Sequence, residues 1–586
     1  MPPESFRVFH IDLATGSGQA IDFGNVATDL GGSGLAAALF EQFGDPAARW
    51  DEPSQPVIFA VGPLTGYLPL MSKVVCGFKS PYHDQYTESH AGGRMALALR
   101  FTGYHALVIT GRAERLSCLV VGSRRLELRD VHYLAGRDAL STGKLLRRAV
   151  PAGAGHRSIA RIGPAGEGGV AFASINVDTY RHFGRLGAGA ALGRKNLKAV
   201  VLQGDASVDL PPGKAYPALC QEAFQQVTAT DMMRKYHDLG TPENVLPLNE
   251  LHALPWRNLQ ATHDPDAAGI SGERFAEQLL LRQAACAGCP VGCIHIGLLR
   301  QRFAADNEFL YRQVSYDHEP VFAQGSMLGI TRAPEVLTLL EASERLGLDV
   351  MSAGVALAWA TEAFQGGLIG EDETLVRLAF GEAAGYVEAL RHLGHGTNEF
   401  YRLLGRGTET AAAHYGGAEF ACVLGQEMAG YATGEVFFAS QALGFRHSHL
   451  DAGGYAYDQK TEGKDVAAAV AFLVEDERRR VLLTSMVGCL FARSVYGEQR
   501  LAEALECLGW GEAAAGLEAA SRAVQARRWA LRLRSGFAPR AVRIPKRFLE
   551  VVTWKGPLDP DYLAALCTAY ARRIEELARS AGGATP

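Results

Sequence analysis

The residues in this chain best suited to chemistry are three thiols within one short stretch, Cys286-Ala-Gly-Cys289-Pro-Val-Gly-Cys293. Two glycines and a proline turn the stretch tightly, so that the sulfurs can converge. Three thiolates do not complete a tetrahedral or cubane site, so a fourth ligand must come from elsewhere. Cys489, in Thr484-Ser-Met-Val-Gly-Cys489, is the best candidate. Such a set suits a four-cysteine iron–sulfur cluster. A four-cysteine zinc site uses the same ligands, but zinc sites more often pair two CxxC knuckles, and the sequence holds no second knuckle. Free buried thiols brought together by chance are the remaining reading.

Two further stretches carry acid–base groups. In Tyr316-Asp-His-Glu319 a carboxylate placed in a dry pocket would have its pKa raised toward neutrality. On pattern alone Glu319 reads equally as an acid at a helix N-terminus. In Arg446-His447-Ser448-His449-Leu-Asp451 two imidazoles lie beside an acid that can orient one of them. An HxH pair also suits a single metal ion.

These groups need elements to hold them. Residues 1–205 read as mostly β, with apolar runs such as Val57-Ile-Phe-Ala-Val61 closed by Gly62-Pro63 and helices expected near 34–43 and 92–102. From 206 onward Ala- and Leu-rich amphipathic stretches predict helices, among them 273–285, 334–346 and 513–533. A soft boundary falls near 410, giving segments 1–205, 206–410 and 411–586. The expected class is α+β multidomain, a β-rich N-terminal domain followed by two mostly helical ones. The segment 522–547, rich in arginine, reads as a solvated helix face or a docking patch for an acidic electron carrier.

Composition bounds the function. The 586 residues are 48% apolar and 21% charged with a formal net charge of −5, which does not favour a nucleic-acid or acidic-membrane partner. No uncharged run of about 18 apolar residues occurs, so no transmembrane helix is expected. Ten cysteines in so long a chain fall far below a disulfide scaffold. With no apolar leader or twin arginine at the start, they point to reduced thiols in the cytoplasm.

An ordered series of further motifs accompanies the thiols: Gly31-Gly-Ser-Gly-Leu35, Ala60-Val-Gly-Pro-Leu-Thr-Gly66, Ala91-Gly-Gly93, Phe101-Thr-Gly-Tyr104, Ile162-Gly-Pro-Ala-Gly-Glu167, Gly193-Arg-Lys-Asn-Leu-Lys-Ala199, Leu346-Gly-Leu-Asp349 and Ile544-Pro-Lys-Arg-Phe548. Taken together, over about 5–570, the chain resembles the tungsten-containing aldehyde:ferredoxin oxidoreductase family. The resemblance implies tungsten, or molybdenum, held by two pyranopterins, with Mg2+ bridging their phosphates. It implies a [4Fe-4S] cluster on Cys286, Cys289, Cys293 and Cys489. It also implies a β-rich base closed by two helical domains.

Carried over by position, Lys73 falls where the family has a pterin-contacting arginine, and keeps the charge without the bidentate fork. His90 falls at an asparagine position, just before Gly92 and Gly93. Arg185, with Gly187, matches an arginine near the pterin phosphates. The family's two Asp-x-x-Gly-Leu-Cys/Asp motifs, which hydrogen-bond the pterins, are altered here. The first reads Glu344-Arg-Leu-Gly347-Leu348-Asp349, and the second keeps only Gly488 and Cys489. Glu319 matches the active-site glutamate, and His447 or His449 the histidine near the metal.

The implied reaction converts an aldehyde and water to a carboxylic acid, two protons and two electrons, delivered to ferredoxin or an iron–sulfur subunit. A homodimer is also implied. The same cofactors acting reductively on an activated aromatic acid, or a cofactor-free protein with a structural four-cysteine site, are the alternatives.

Overall fold

The computed structural model describes residues 4–153, 155–303 and 308–581. The N-terminal part is built on two six-stranded sheets. The first runs in the order Ser17–Phe23, Phe6–Asp12, Ala106–Thr110, Val57–Ala60, Val74–Lys79, Tyr86–Ala91. All its pairs are antiparallel except Phe6–Asp12 with Ala106–Thr110, which is parallel. The second sheet runs Arg181–Phe183, Ile175–Val177, His156–Arg161, Leu197–Gly204, Ser117–Gly122, Arg125–Asp130.

The strand Val57–Ala60 is apolar throughout because both of its faces are covered. Its period of two sends Val57 and Phe59 into the core between the sheets, with Phe9, Ile11, Leu119 and Val200. Ile58 and Ala60 point the other way, into the large core shared with the helical part. The helix Gly32–Phe43 covers that face. It starts at Gly31 and Gly32, where φ is +116° and +38°. A Cβ on Gly32 would lie 2.2 Å from the Thr484 carbonyl oxygen, so this turn serves a close backbone approach to the segment leading to Cys489.

Beyond residue 205 the chain is mostly helical, with one departure. The stretch 273–285, expected as one helix, is the helix Gly272–Gln278 followed by the strand Leu280–Ala284. That strand pairs with Ile294–Arg302, which pairs with Phe309–Tyr316, forming a three-stranded antiparallel sheet. The cysteine loop is the connection between its first two strands, so it hangs from a rigid hairpin.

The arginine-rich segment is neither a solvated face nor an open patch at its centre. Arg528 and Arg532, on the helix Leu517–Arg534, are buried. Arg528 grips Glu88 of the first sheet at 2.8 and 3.2 Å. Arg532 donates to the Gly444 carbonyl at 2.7 Å, with the Phe537 ring 4.0 Å from its guanidinium carbon. Among the described residues no helix is long and apolar enough to cross a membrane.

Candidate functional site

Four separate backbone segments are stitched together around the thiols. Leu70 donates its N–H to the Gly288 carbonyl at 3.1 Å and accepts from the Cys489 N–H at 3.1 Å. Lys73 N–H donates to the Val487 carbonyl at 3.0 Å, and Ala287 N–H to the Gly93 carbonyl at 3.0 Å. The distant Cys489 is thereby fastened to the Cys286–Cys293 loop through the single residue Leu70. Gly92 and Gly93 clasp that loop: a Cβ on Gly92 would lie 2.8 Å from Cys286 Sγ and 3.1 Å from Lys73 Nζ.

Two cations face the sulfurs. Lys73 lies in the field of Cys489, Cys286 and Cys293, which together outweigh burial and raise its pKa. Arg181 places Nη2 3.9 Å from Cys293 Sγ and Nη1 3.5 Å from Asp317 Oδ2. Burial pushes the Cys286 thiol up, but Lys73 and Arg181 overcome it and hold that thiol below its ordinary value. Burial pushes Cys289 to about 11 and Cys293 to about 12, against backbone N–H groups of Val291 and Gly292 aimed at the former and Arg181 beside the latter. Thiolates in so dry a place call for a positive centre. Among the described residues, no group of three or more His, Cys, Asp or Glu is placed to hold a single metal ion. Thiolates on a single zinc would lie about 2.3 Å from a common point, whereas those of a cluster sit at separate corners.

Asp317 connects the thiols to the acid–base group. It is the N-cap of the helix His318–Gln324, whose first turn carries Glu319. Glu319 is 15% exposed; its Oε2 accepts from the Gly430 N–H at 2.9 Å, and its Oε1 lies 3.4 Å from His449 Nε2. That second contact is outside hydrogen-bond geometry, and Oε1 has no other partner among the described residues. Burial raises the Glu319 carboxyl to about 7, against the Gly430 N–H and Arg185. Burial, with Arg185 and Arg480 nearby, holds His449 well below the ordinary imidazole value, so it is neutral at pH 7.

The two histidines of the HxH stretch part company. His449 faces Glu319 and the ring of Tyr431, 5.4 Å between centroids. His447 has φ +50° and sits in the core against Gln441 O, at 3.2 Å, and Arg532. Asp451, expected to orient an imidazole, instead accepts from the Arg446 side chain at 2.7 Å and from the Arg446 and Ser448 N–H groups at 2.7 and 3.1 Å. Arg446 in turn reaches His90 Nδ1 at 3.2 Å, while His90 Nε2 is 3.2 Å from Glu88. His90 is thus held at both nitrogens, and burial lowers its pKa to about 4.

A second group lies where the helical part meets the sandwich. Arg185 donates to Asp349 Oδ2 at 3.2 Å, Ser352 Oγ at 3.3 Å and the Glu427 carbonyl at 2.6 Å. Asp349 caps the helix Val350–Gln365 through the N–H groups of Met351 and Ser352. Gly347, with φ +72°, ends the preceding helix and accepts from Ser174 N–H at 2.8 Å, and Leu348 bridges to Ala173. Gly187, with φ +86°, opens the helix Ala188–Arg194 two residues after Arg185. Glu344 is buried beside Ser315 Oγ at 3.0 Å and His182, and burial raises it to about 8. Gly488 turns the chain just before Cys489, its N–H on the Leu483 carbonyl at 2.9 Å.

Several buried atoms on these segments lack hydrogen-bond partners among the described residues: Asn176 Oδ1, His182 Nε2, Arg185 Nη1, Tyr316 OH, Glu427 Oε2 and His449 Nδ1. Buried polar atoms are normally satisfied, so this concentration fits a bound group rich in donors and acceptors, as pterins are. Arg181 and Arg446 were not singled out in the sequence. Arg181 carried one signal, its place four residues before Arg185 at the edge of a Gly-rich turn.

Two family models cover the chain: "Aldehyde ferredoxin oxidoreductase, N-terminal domain" matches residues 8–204 and "Aldehyde ferredoxin oxidoreductase, domains 2 & 3" matches 218–573. A tungsten-containing aldehyde ferredoxin oxidoreductase of Pyrococcus furiosus is 31% identical over 374 residues, 63% of this chain and 60% of that protein. The protein of the same name from Pyrococcus abyssi is 30% identical over 69% of this chain and 66% of its own length. These alignments therefore span less than two thirds of either relative. Among solved structures, the active-site complex BamBC of benzoyl coenzyme A reductase with 1,5-dienoyl-CoA superposes with a TM-score of 0.78 over 97% of this chain and 95% of that one. At 17% identity that likeness shows the fold alone. With both halves of the family's pattern laid along the same sandwich, thiol loop and capped helices, the chain belongs to the aldehyde ferredoxin oxidoreductase family.

Proposed function

We propose that the chain is a tungsten- or molybdenum-pyranopterin oxidoreductase that converts an aldehyde and water to a carboxylic acid, releasing two protons and two electrons. Bound, the pterin-held metal would accept the electron pair and a [4Fe-4S] cluster would pass the electrons singly to ferredoxin or an iron–sulfur subunit. Cys286, Cys289, Cys293 and Cys489 are the residues to hold the cluster, with Lys73 and Arg181 balancing its charge. Arg185, Glu344, the Gly347–Asp349 turn and Gly488 are placed to meet the pterins, and Gly92 and Gly93 let the thiol loop approach.

Glu319 holds or takes up a proton at Oε1. A carboxyl near 7 is close to an equal mixture of acid and base at neutral pH, the condition for efficient proton transfer. His449, neutral and with Nδ1 unpartnered, is placed to hydrogen-bond the substrate oxygen. Tyr431 covers the other side and keeps water from the pair.

One observation carries this reading. Arg181 joins the thiol group to Asp317, which caps the helix bearing Glu319, so electron and proton acceptors share one wall. A relative 26% identical is named an aliphatic sulfonate oxidoreductase subunit, which leaves the substrate class to experiment. Protein purified anaerobically with its cofactors should reduce a viologen dye when given an aldehyde. Inactivity across straight-chain, branched and aromatic aldehydes, with tungsten or molybdenum present, would favour the reductive alternative.

A further inference from the structure

Away from the thiols and Glu319, a cavity of about 430 Å³ opens between the N-terminal sandwich and the helical part. Arg137, Arg312, Arg345 and Arg391 line it, against only two carboxylates, Asp138 and Glu341. Glu341 is shared by Arg312 and Arg345, and Asp138 lies 3.1 Å from Arg345. Among the described residues Arg391 pairs with Glu388 at the surface. The Arg137 side chain has no ion-pair partner among the described residues, and His395 adds a second unpaired base at the rim. Pro164, Leu346 and Val387 add an apolar wall to the lining.

We propose that this cavity binds a small phosphate-bearing organic anion of the nucleoside diphosphate class. Four guanidiniums meet two carboxylates in the lining and a third, Glu388, beside Arg391, which leaves one positive charge, that of Arg137, unmatched. A positive cleft of this kind attracts an anion. Guanidiniums present paired N–H donors that match phosphate oxygens, which lysines do not. The volume lies within the range of small-molecule sites, about 300–1,000 Å³. It also exceeds what a bare phosphate needs, so the apolar wall is left to take an organic part. Glu341 and Arg345 are one helical turn apart on the helix Ala333–Leu346, so they present one face to the cavity. Glu344 of the same helix contacts Ser315 and His182 instead, which keeps this site distinct from the catalytic one.

The test is isothermal titration of the cofactor-loaded full chain with ADP, inorganic pyrophosphate and adenosine. Three proteins are compared: wild type, the double variant Arg137→Gln/Arg391→Gln, and Val387→Glu. The expected result is saturable ADP binding at one site per chain, weaker binding of pyrophosphate and none of adenosine. The double variant should weaken ADP about tenfold with unfolding temperature and dye reduction unchanged, and Val387→Glu should abolish binding. Both altered side chains of the double variant are exposed, so folding is not at risk. No saturable binding of ADP or pyrophosphate at millimolar concentration overturns the proposal. Equal ADP affinity in all three proteins does so too, because binding then lies elsewhere. Pyrophosphate binding as tightly as ADP overturns the organic half.

Discussion

Glu319 and Glu344 show how far a single environment moves a carboxyl group. Both are raised by burial, to about 7 and about 8. A raised carboxyl binds its proton more tightly folded than unfolded, so the stability it contributes is lost as pH climbs through the folded value. Glu344→Gln should therefore gain unfolding temperature relative to wild type as the pH rises from about 5 to about 8, measured on cofactor-free protein. If the two curves run parallel, Glu344 does not titrate as its surroundings dictate. For Glu319 the proton is part of the work: activity should rise with pH through about 7. Glu319→Gln should cost about a hundredfold or more in kcat and remove that limb from the pH profile. Identical profiles for wild type and variant would assign the proton to another group.

At this scale the sequence was readable where residue type and spacing carry the chemistry. Three cysteines in a Gly/Pro turn declare themselves; Arg181 does not, because one arginine on a short strand looks like any other until Cys293 and Asp317 are seen on either side of it. Spacing alone left the choice between His447 and His449 open. It is the positive φ of His447 that turns one ring into the core and leaves the other facing Glu319.

Among the elements, the hairpin bearing the thiols was the largest surprise. Its strands, Leu280–Ala284 and Ile294–Arg302, follow a helix without a turn signal, so periodicity extended the helix through the first of them. The strand Val57–Ala60 was legible because an unbroken apolar run has few other outcomes. The turn at Gly92 is where element geometry meets the site. Gly92→Ala should push Cys286 and Lys73 apart, since its Cβ would lie 2.8 Å from the sulfur. Iron content per chain should fall by more than half while circular dichroism stays unchanged. Full iron loading in this variant would show that the clasp is not needed.

Over the whole molecule, the C-terminal arginines act as internal rivets. Arg528 and Glu88, both buried, join the last helical segment to the first sheet across 440 positions of sequence. Arg528 outweighs burial and holds Glu88 near 2, so the pair stays charged under all ordinary conditions. Glu88→Ala leaves an unpaired buried guanidinium and should cost about 3–5 kcal/mol in chemical denaturation. A loss below about 1 kcal/mol, the worth of a surface pair, would show that Arg528 finds another partner. Such long-range pairs are invisible in sequence, where an arginine run looks solvated.

The account rests on thiols from two remote stretches meeting at one inorganic centre beside the proton-handling pair. The most direct test is metal analysis with electron paramagnetic resonance of anaerobically purified, dithionite-reduced wild type and Cys489→Ser. Wild type should hold about four iron per chain with a [4Fe-4S] signal, alongside tungsten or molybdenum. The variant should lose that signal while keeping its fold. A stoichiometric zinc ion in place of iron, or an unaltered cluster in Cys489→Ser, would contradict it.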